Sequence, residues 1–386
     1  MTSSILFGIS TARKKLLVPL LASLTLLITG SPAWAAGVTT DVGVGYNPIA
    51  VAVNSITNKA YVANSNDGTV TVIDGATNNT STVTVDFTPI AIALNPVTNK
   101  IYVANGLFNN VTVIDGITNS TSTIAAGNCT DAIAVNSVTN KIYVANLCDS
   151  NTVTVIDGAT NSTTTVAVGV TPIAIALNPI TNKIYVANAN DGSVTVIDGA
   201  TNSTTTVAVG VIPIAIALNP ITNKIYVANA NDGSVTVIDG ATNSTSTIAV
   251  GVYPQGIAVN AATNKVYTTI GGGNTVTVID GTNNSTNTVV VGSYPYRVEV
   301  NPVTDNIYVG NFDSNTVTVI DGATNRTSTI TLNNNTLKMG TSPIALAVNP
   351  DTNKAYVVNY ITTAANHHFD RKTTVTVIDG TRLKWD

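Results

Sequence analysis

Arg297 and Glu299, two apart in the run YPYRVEVN, are the residues whose types and spacing promise chemistry most directly. Strand side chains at i and i+2 share a face, so a guanidinium and the only glutamate of the chain fall side by side, preceded by Tyr294 and Tyr296. Such a set can anchor a ligand, Arg297 taking an anion while the tyrosines stack. The structural alternative is a self-compensating ion pair in the wall of a channel. A second set, in the run from His367 to Lys372, holds both histidines of the chain. Imidazoles near a carboxylate can ligate zinc, but two vicinal histidines need further ligands. A solvated loop is the alternative, and no metal is assigned. His367, His368, Asp370 and Arg371 join Tyr294, Tyr296, Arg297 and Glu299 as candidate ligand-binding residues. No residue is assigned a catalytic role and no cofactor is expected.

These residues stand out because the rest of the chain repeats. Units open on Asn54, Asn95, Asn136, Asn178, Asn219, Asn260, Asn301 and Asn349, at spacings of 41, 41, 42, 41, 41, 41 and 48 residues. Each unit reads as four short strands rich in Val, Ile, Thr and Tyr. In the fourth they are Ile173–Leu177, Lys183–Ala187, Ser193–Ile197 and Thr204–Val209. Turn residues separate them: Asn178-Pro179, Asn190-Asp191-Gly192 and Asp198-Gly199. No helical period occurs. An all-β chain with four strands per unit of this length is a β-propeller of four-stranded blades. Val38–Gly43 resembles a fourth strand with no partner of its own, and the last unit lacks its fourth. The N-terminal strand is therefore expected to complete the last blade and remove the exposed edges. Eight opening Asn residues predict eight blades.

With those residues in view, the chain resembles the YVTN-type propeller repeat family, which includes exported and surface-layer-like proteins. The signature is Tyr-Val-Ala-Asn in repeats one to five, for example Tyr185-Val186-Ala187-Asn188, and Tyr308-Val309-Gly310-Asn311 and Tyr356-Val357-Val358-Asn359 in repeats seven and eight. Repeat six departs most, with Tyr267-Thr268-Thr269-Ile270. Known members are mostly seven-bladed, so the resemblance implies seven blades as the alternative to the eight counted here. Its motifs are specific to a fold and not to an activity.

Arg13, Lys14 and Lys15, the apolar run Leu16–Ile28 and small residues up to Ala35 read as a signal peptide over residues 1–35, with the propeller over 36–386. The mature chain is expected to be exported, whether secreted, periplasmic or held at the cell surface, without a membrane span, and monomeric. Setting aside the three leader cations leaves fourteen Lys and Arg against twenty-one Asp and Glu, a net charge of −7. That balance argues against nucleic acid as a partner. Export permits oxidation, and Cys129 and Cys148 flank the first two strands of unit three. A Cys129–Cys148 disulfide is expected, contributing about 3 kcal/mol for a loop of about twenty residues. Residues common to all units are read as structural. They include the Asp of each V-I-D-G corner, such as Asp198, which suits an Asx turn. The expected function is that of a non-enzymatic scaffold binding a cell-surface polymer or protein through its loop-bearing face. The alternative is a lactonase-like hydrolase or lyase at the central channel mouth.

Overall fold

The computed structural model describes residues 39–148, 151–332, 341–361 and 373–383. The chain divides into Met1–Trp34 and Ala35–Asp386, and the second unit is the one described. It is all-β, apart from one short 3-10 turn at Gly380–Arg382. Its strands form eight four-stranded antiparallel sheets, and each sheet is one repeat. Eight blades are present, not the seven that the family resemblance implies.

The fourth blade shows how sequence makes each sheet. Its strands are Pro172–Asn178, Lys183–Asn188, Ser193–Asp198 and Thr204–Ala208, within a residue of the predicted ends. The middle strands are buried on both faces, hence their unbroken Val, Ile, Tyr and Ala. The fourth strand is exposed but for one Val, which explains its threonines. First strands of neighbouring blades contact one another and so line the axis. The hairpins turn through left-handed residues, Asn182 at φ 52° and Asn202 at φ 60°, where Asn is tolerated.

Each seam between blades is a separate hydrophobic cluster. Tyr143, Val153, Val155 and Val166 of blade three pack on Ile184, Val186 and Ile197 of blade four. The same arrangement recurs around the ring. It includes the closing seam, where Tyr356, Val358, Val375, Val377 and Val42 meet Ala60, Val62 and Ile73. The tyrosine is fully buried in every blade. Polar staples cross the seams on the side opposite the long loops. Asn178 Nδ2 donates to Asn223 Oδ1 at 2.8 Å, while Asn178 Oδ1 accepts from Ile180 N to shape its own turn. Lys183 Nζ donates to the Gly240 carbonyl at 3.1 Å. The opening Asn and the Lys of T-N-K therefore hold blades together. The D-G corner behaves as expected: Asp198 Oδ1 accepts from Ala200 N and Thr201 N at 3.0 Å each.

Closure follows the predicted route. Thr39–Gly43 pairs antiparallel with Thr374–Asp379, so blade eight takes its outer strand from the N-terminal side. Thr376 Oγ1 donates to Asp41 Oδ1 at 2.6 Å, and Lys354 Nζ donates to Gly75 O of blade one at 2.6 Å. One seam lacks the lysine. Blade seven carries Asn306 in its place, and Tyr308 instead donates its hydroxyl to Asn353 of blade eight at 3.3 Å.

Candidate binding site at the channel mouth

Every first strand begins with a β-bulge. In blade four the register shifts between Pro172 and Ala174, leaving Ile173 out of the ladder. A bulge re-aims the side chain it frees, and here it does so at the end of the innermost strand. The residues freed in this way are Ile49, Ile90, Ile173, Ile214 and Ile344 in five blades. In blades three and six two residues are freed, Asp131 with Ala132 and Gln255 with Gly256, and in blade seven one, Tyr296. The residue before the strand takes a left-handed conformation in seven blades, at Asn47, Thr88, Cys129, Thr171, Ile212, Tyr253 and Tyr294. These rim residues lie on the face of the second-to-third-strand loops, as the bond from Ala189 N to Thr171 O at 2.9 Å shows.

On that face exposed aromatic residues form two groups: Phe87 and Phe108 at blade two, with ring centroids 6.2 Å apart, and a larger group at blades six and seven. Tyr253 is 52% exposed and Tyr294 38%. Phe312 stands between Tyr294 and Tyr296, with ring centroids 6.0 and 6.1 Å away and both contacts edge-on. The Arg297 guanidinium lies over the Tyr296 ring at 4.6 Å, a cation–π arrangement. Arg297 Nε also donates to the Ile344 carbonyl of blade eight at 3.4 Å. The predicted cluster of Tyr294, Tyr296 and Arg297 is thus one contiguous group.

Arg297 and Glu299 stand opposite Gly310 and Tyr308 in the ladder, where template blades put Ala. Both side chains are exposed, as expected for charges lining a wet channel. They form no ion pair with each other among the described residues; the Arg382–Asp379 contact at 3.1 Å lies elsewhere. The self-compensating pair is therefore not what holds Arg297. Enclosure by the channel walls pushes the Glu299 carboxyl up, to about 7, while Arg297 pulls it down. Glu299 nonetheless keeps solvent-accessible surface. Enclosure likewise raises Asp131, and Arg297 again opposes. Blades three and seven are four apart in a ring of eight, so Asp131 faces blade seven across the axis.

The seam between blades six and seven is specially built, and this explains the departure of repeat six from its signature. Thr269 Oγ1 accepts from Gly256 N at 2.8 Å and lies 3.3 Å from the Tyr296 carbonyl. Thr268 Oγ1 donates to Gly256 O at 3.1 Å. A side chain at Gly256 would come within 2.8 Å of the Tyr296 carbonyl. Small and hydroxylic residues in blade six therefore let the Tyr296 segment sit close.

The cysteines form the expected disulfide, Cys129–Cys148, with Cα atoms 5.3 Å apart. It ties the blade-three rim to its own second-to-third-strand loop. His367, His368, Asp370 and Arg371 lie outside the described residues. Blade eight differs from the others: its first hairpin is longer, pairing Thr341 with Ile361 and Ser342 with Tyr360. Tyr360 therefore belongs to the second strand, Lys354–Ile361. A cavity of about 170 Å³ opens next to it, lined by Tyr46, Asn47, Asn66, Asn359, Tyr360 and Thr373. Sequence reasoning missed Asp131, Tyr253, Gln255 and Phe312. Alignment on the bulge and rim positions, rather than on the Y-V-A-N strand, carries the signal for them.

No group of three or more His, Cys, Asp or Glu residues able to hold a metal ion occurs among the described residues. No helix among them is long and apolar enough to cross a membrane. No family model matches the chain, and no curated protein matches it. Among solved structures, a hydrazine synthase of Kuenenia stuttgartiensis is similar at a TM-score of 0.59 and 20% identity, over 73% of this chain and 97% of that one. The chain has the β-propeller fold. At that identity the likeness concerns the fold alone.

Proposed function

We propose that this protein is an exported propeller scaffold, of the YVTN repeat type, that binds a cell-surface polymer or protein through its loop-bearing face without catalysis. The observation that carries this reading is an asymmetry. Exposed Tyr253 and Tyr294, with Phe312, Tyr296 and Arg297, cluster on two adjacent blades of one face, whereas the near-identical blades four and five present Val170, Thr171, Val211 and Ile212 there. A rigid ring offers little adaptation, so a preformed aromatic patch beside one cation suits recognition by stacking and a single polar anchor. The leader-like residues 1–35 and the disulfide both fit an oxidising, exported setting. The test is adsorption of the purified protein to isolated envelopes of the producing cells. Arg297→Ala should reduce the bound fraction at least fivefold with an unchanged melting curve. Equal adsorption would refute the assignment of this patch.

A second reading, a lactonase-like hydrolase at the channel mouth, draws on Glu299 and Asp131, whose carboxyls are both raised by enclosure. It requires turnover of simple lactones that disappears in Glu299→Gln. Turnover equal in that variant and the native protein removes it.

A further inference from the structure

The face opposite the long loops carries a ring of its own. Each first hairpin turns there through the frame Asn-x-x-Thr-Asn, with Asp305 as the last residue in blade seven. The third residue of the frame is Ile56, Val97, Val138, Ile180, Ile221 and Val303 in six blades, each 70–74% exposed. Val and Ile are among the residue types most often buried, and the turn does not require them. Its shape is set by the opening Asn, and in blade six Ala262 N makes the same 3.0 Å bond to Asn260 Oδ1 that Ile180 N makes to Asn178. Nor are the six scattered. Each opening Asn donates to the residue that ends the next blade's turn, from Asn54 to Asn99 at 2.8 Å round to Asn349 and Asn58 at 2.9 Å. The eight turns are thus one closed, hydrogen-bonded ring, and because first strands line the axis it circles the channel.

The six side chains present about 700 Å² of surface, near the roughly 800 Å² that each partner buries in a standard interface. Charge around them is almost balanced. Among the described residues of this face, the seven stapling lysines, Arg326 and Arg382 stand against the eight corner aspartates, Asp305 and Asp351, nine cations to ten carboxylates. The loop-bearing face instead sets Asp67, Asp86, Asp131, Asp191, Asp232 and Asp313 against Arg297 alone. Two copies can therefore meet back to back without net repulsion, whereas loop faces would repel. A lipid surface fits less well. Exposed Phe87, Phe108, Tyr253 and Tyr294 all lie on the other face, and membrane-surface binding favours aromatics with a cationic excess.

A twofold axis in the plane of contact lays the blades of one copy over those of the other in reverse order. Two positions interrupt the aliphatic ring, Ala262 in blade six and Asp351 in blade eight, one on either side of blade seven. An axis along the diameter through blades seven and three sets each interruption opposite the other, so the Asp351 carboxylate meets Ala262 and not a buried aliphatic. Val303 then meets Val303, Val138 meets Val138, Ile221 meets Ile56 and Ile180 meets Val97.

We propose that this ring is the interface of a back-to-back homodimer with its twofold axis through blades three and seven. The dimer departs from the monomer expected from the sequence alone, and it stands independently of what the loop-bearing faces bind. Both of those faces point outward, which makes the assembly bivalent toward a repeating surface. The experiment is sedimentation equilibrium of the purified protein, with cross-linking of single-cysteine variants by a short bis-maleimide. Cys129 and Cys148 are paired, so an introduced cysteine is the reactive thiol. The native protein should sediment as a dimer in the micromolar range. Val138→Glu with Ile180→Glu should weaken association at least tenfold with an unchanged melting curve, because both side chains are exposed. Val170→Glu with Val211→Glu, on the loop-bearing face, should weaken it less than twofold. Val138→Cys and Val303→Cys should each cross-link to themselves. Ile180→Cys should cross-link only when mixed with Val97→Cys. A monomer throughout the micromolar range, or a dimer that survives Val138→Glu with Ile180→Glu, would overturn the proposal. Self-cross-linking of Ile180→Cys as readily as Val138→Cys would overturn the axis. Monomers that bind phosphatidylcholine vesicles, and lose that binding in Val138→Glu with Ile180→Glu, would assign the ring to a lipid surface instead.

Discussion

Blades four and five and blades six and seven are built on the same plan and differ in what they do with it. In the first pair the bulge residues are Ile173 and Ile214, the rim residues are Thr171 and Ile212, and the loops carry Ala189 and Ala230. In the second pair the same positions hold Gln255 and Tyr296, Tyr253 and Tyr294, and Gly271 and Phe312. The seam clusters barely change: Tyr185 with Val194, Val196 and Val207 meets Ile225, Val227 and Ile238, and Tyr267 with Val276, Val278 and Val289 meets Ile307, Val309 and Ile320. Stability is thus delegated to residues that repeat. On the proposed reading, recognition falls to the few positions at the end of the first strand and the loop beside it, where backbone geometry is fixed by bulge and left-handed turn whatever the side chain.

The strongest way to break this comparison is in the shared core. Tyr185→Ala empties a fully buried aromatic site and should cost roughly 3–5 kcal/mol, the range for large-to-small changes in cores, as read by denaturant unfolding. The same change at Tyr267 should cost the same within about 1 kcal/mol if the seams are equivalent; a much smaller loss there would show that blade seven is held by other means. Next in size is the disulfide. Replacing Cys129 and Cys148 by Ala should lower stability by about 3 kcal/mol. It should leave adsorption through blades six and seven unchanged, since Cys129–Cys148 lies on blade three.

Smaller effects sharpen the comparison at the seams. Lys183→Met removes the bond to Gly240 O and should cost about 1 kcal/mol. Asn306→Lys supplies the staple missing between blades seven and eight and should raise the melting temperature slightly. The smallest effect concerns pH. Glu299 has a folded carboxyl value of about 7 against an ordinary 4.5. Across that window the folded protein keeps a proton that the unfolded chain has released, so stability from this group is present below 4.5 and lost as pH rises toward 7. Glu299→Gln should flatten the stability profile over that range. The D-G corners act oppositely: hydrogen bonds from Thr201 N and Ala200 N hold Asp198 below its ordinary 3.8, so their contribution fades only in acid.

Most of the fold was legible because it is written eight times. Alternating buried residues, Asn-Pro and Asp-Gly turns and an orphan fourth strand near Thr39 together dictate a closed ring. Arg297 and Glu299 were legible because each replaces alanine with a charge. Their company was not. Asp131 stands on the opposite blade, and Phe312 reaches Tyr296 only through the loop fold, so neither adjacency exists along the chain. The Arg297–Glu299 pairing suggested by i, i+2 spacing also failed to form, because stacking on Tyr296 and the Ile344 carbonyl draw the guanidinium toward blade eight.

The central claim is that recognition lies where blades six and seven leave the template. Envelope adsorption of two double variants tests it most directly: Tyr253→Ala with Tyr294→Ala, and Thr171→Ala with Ile212→Ala at the same rim positions of blades four and five. The first is expected to lose adsorption at least tenfold and the second to retain it, with both folded by melting. Equal losses, or a loss confined to the second, would contradict it.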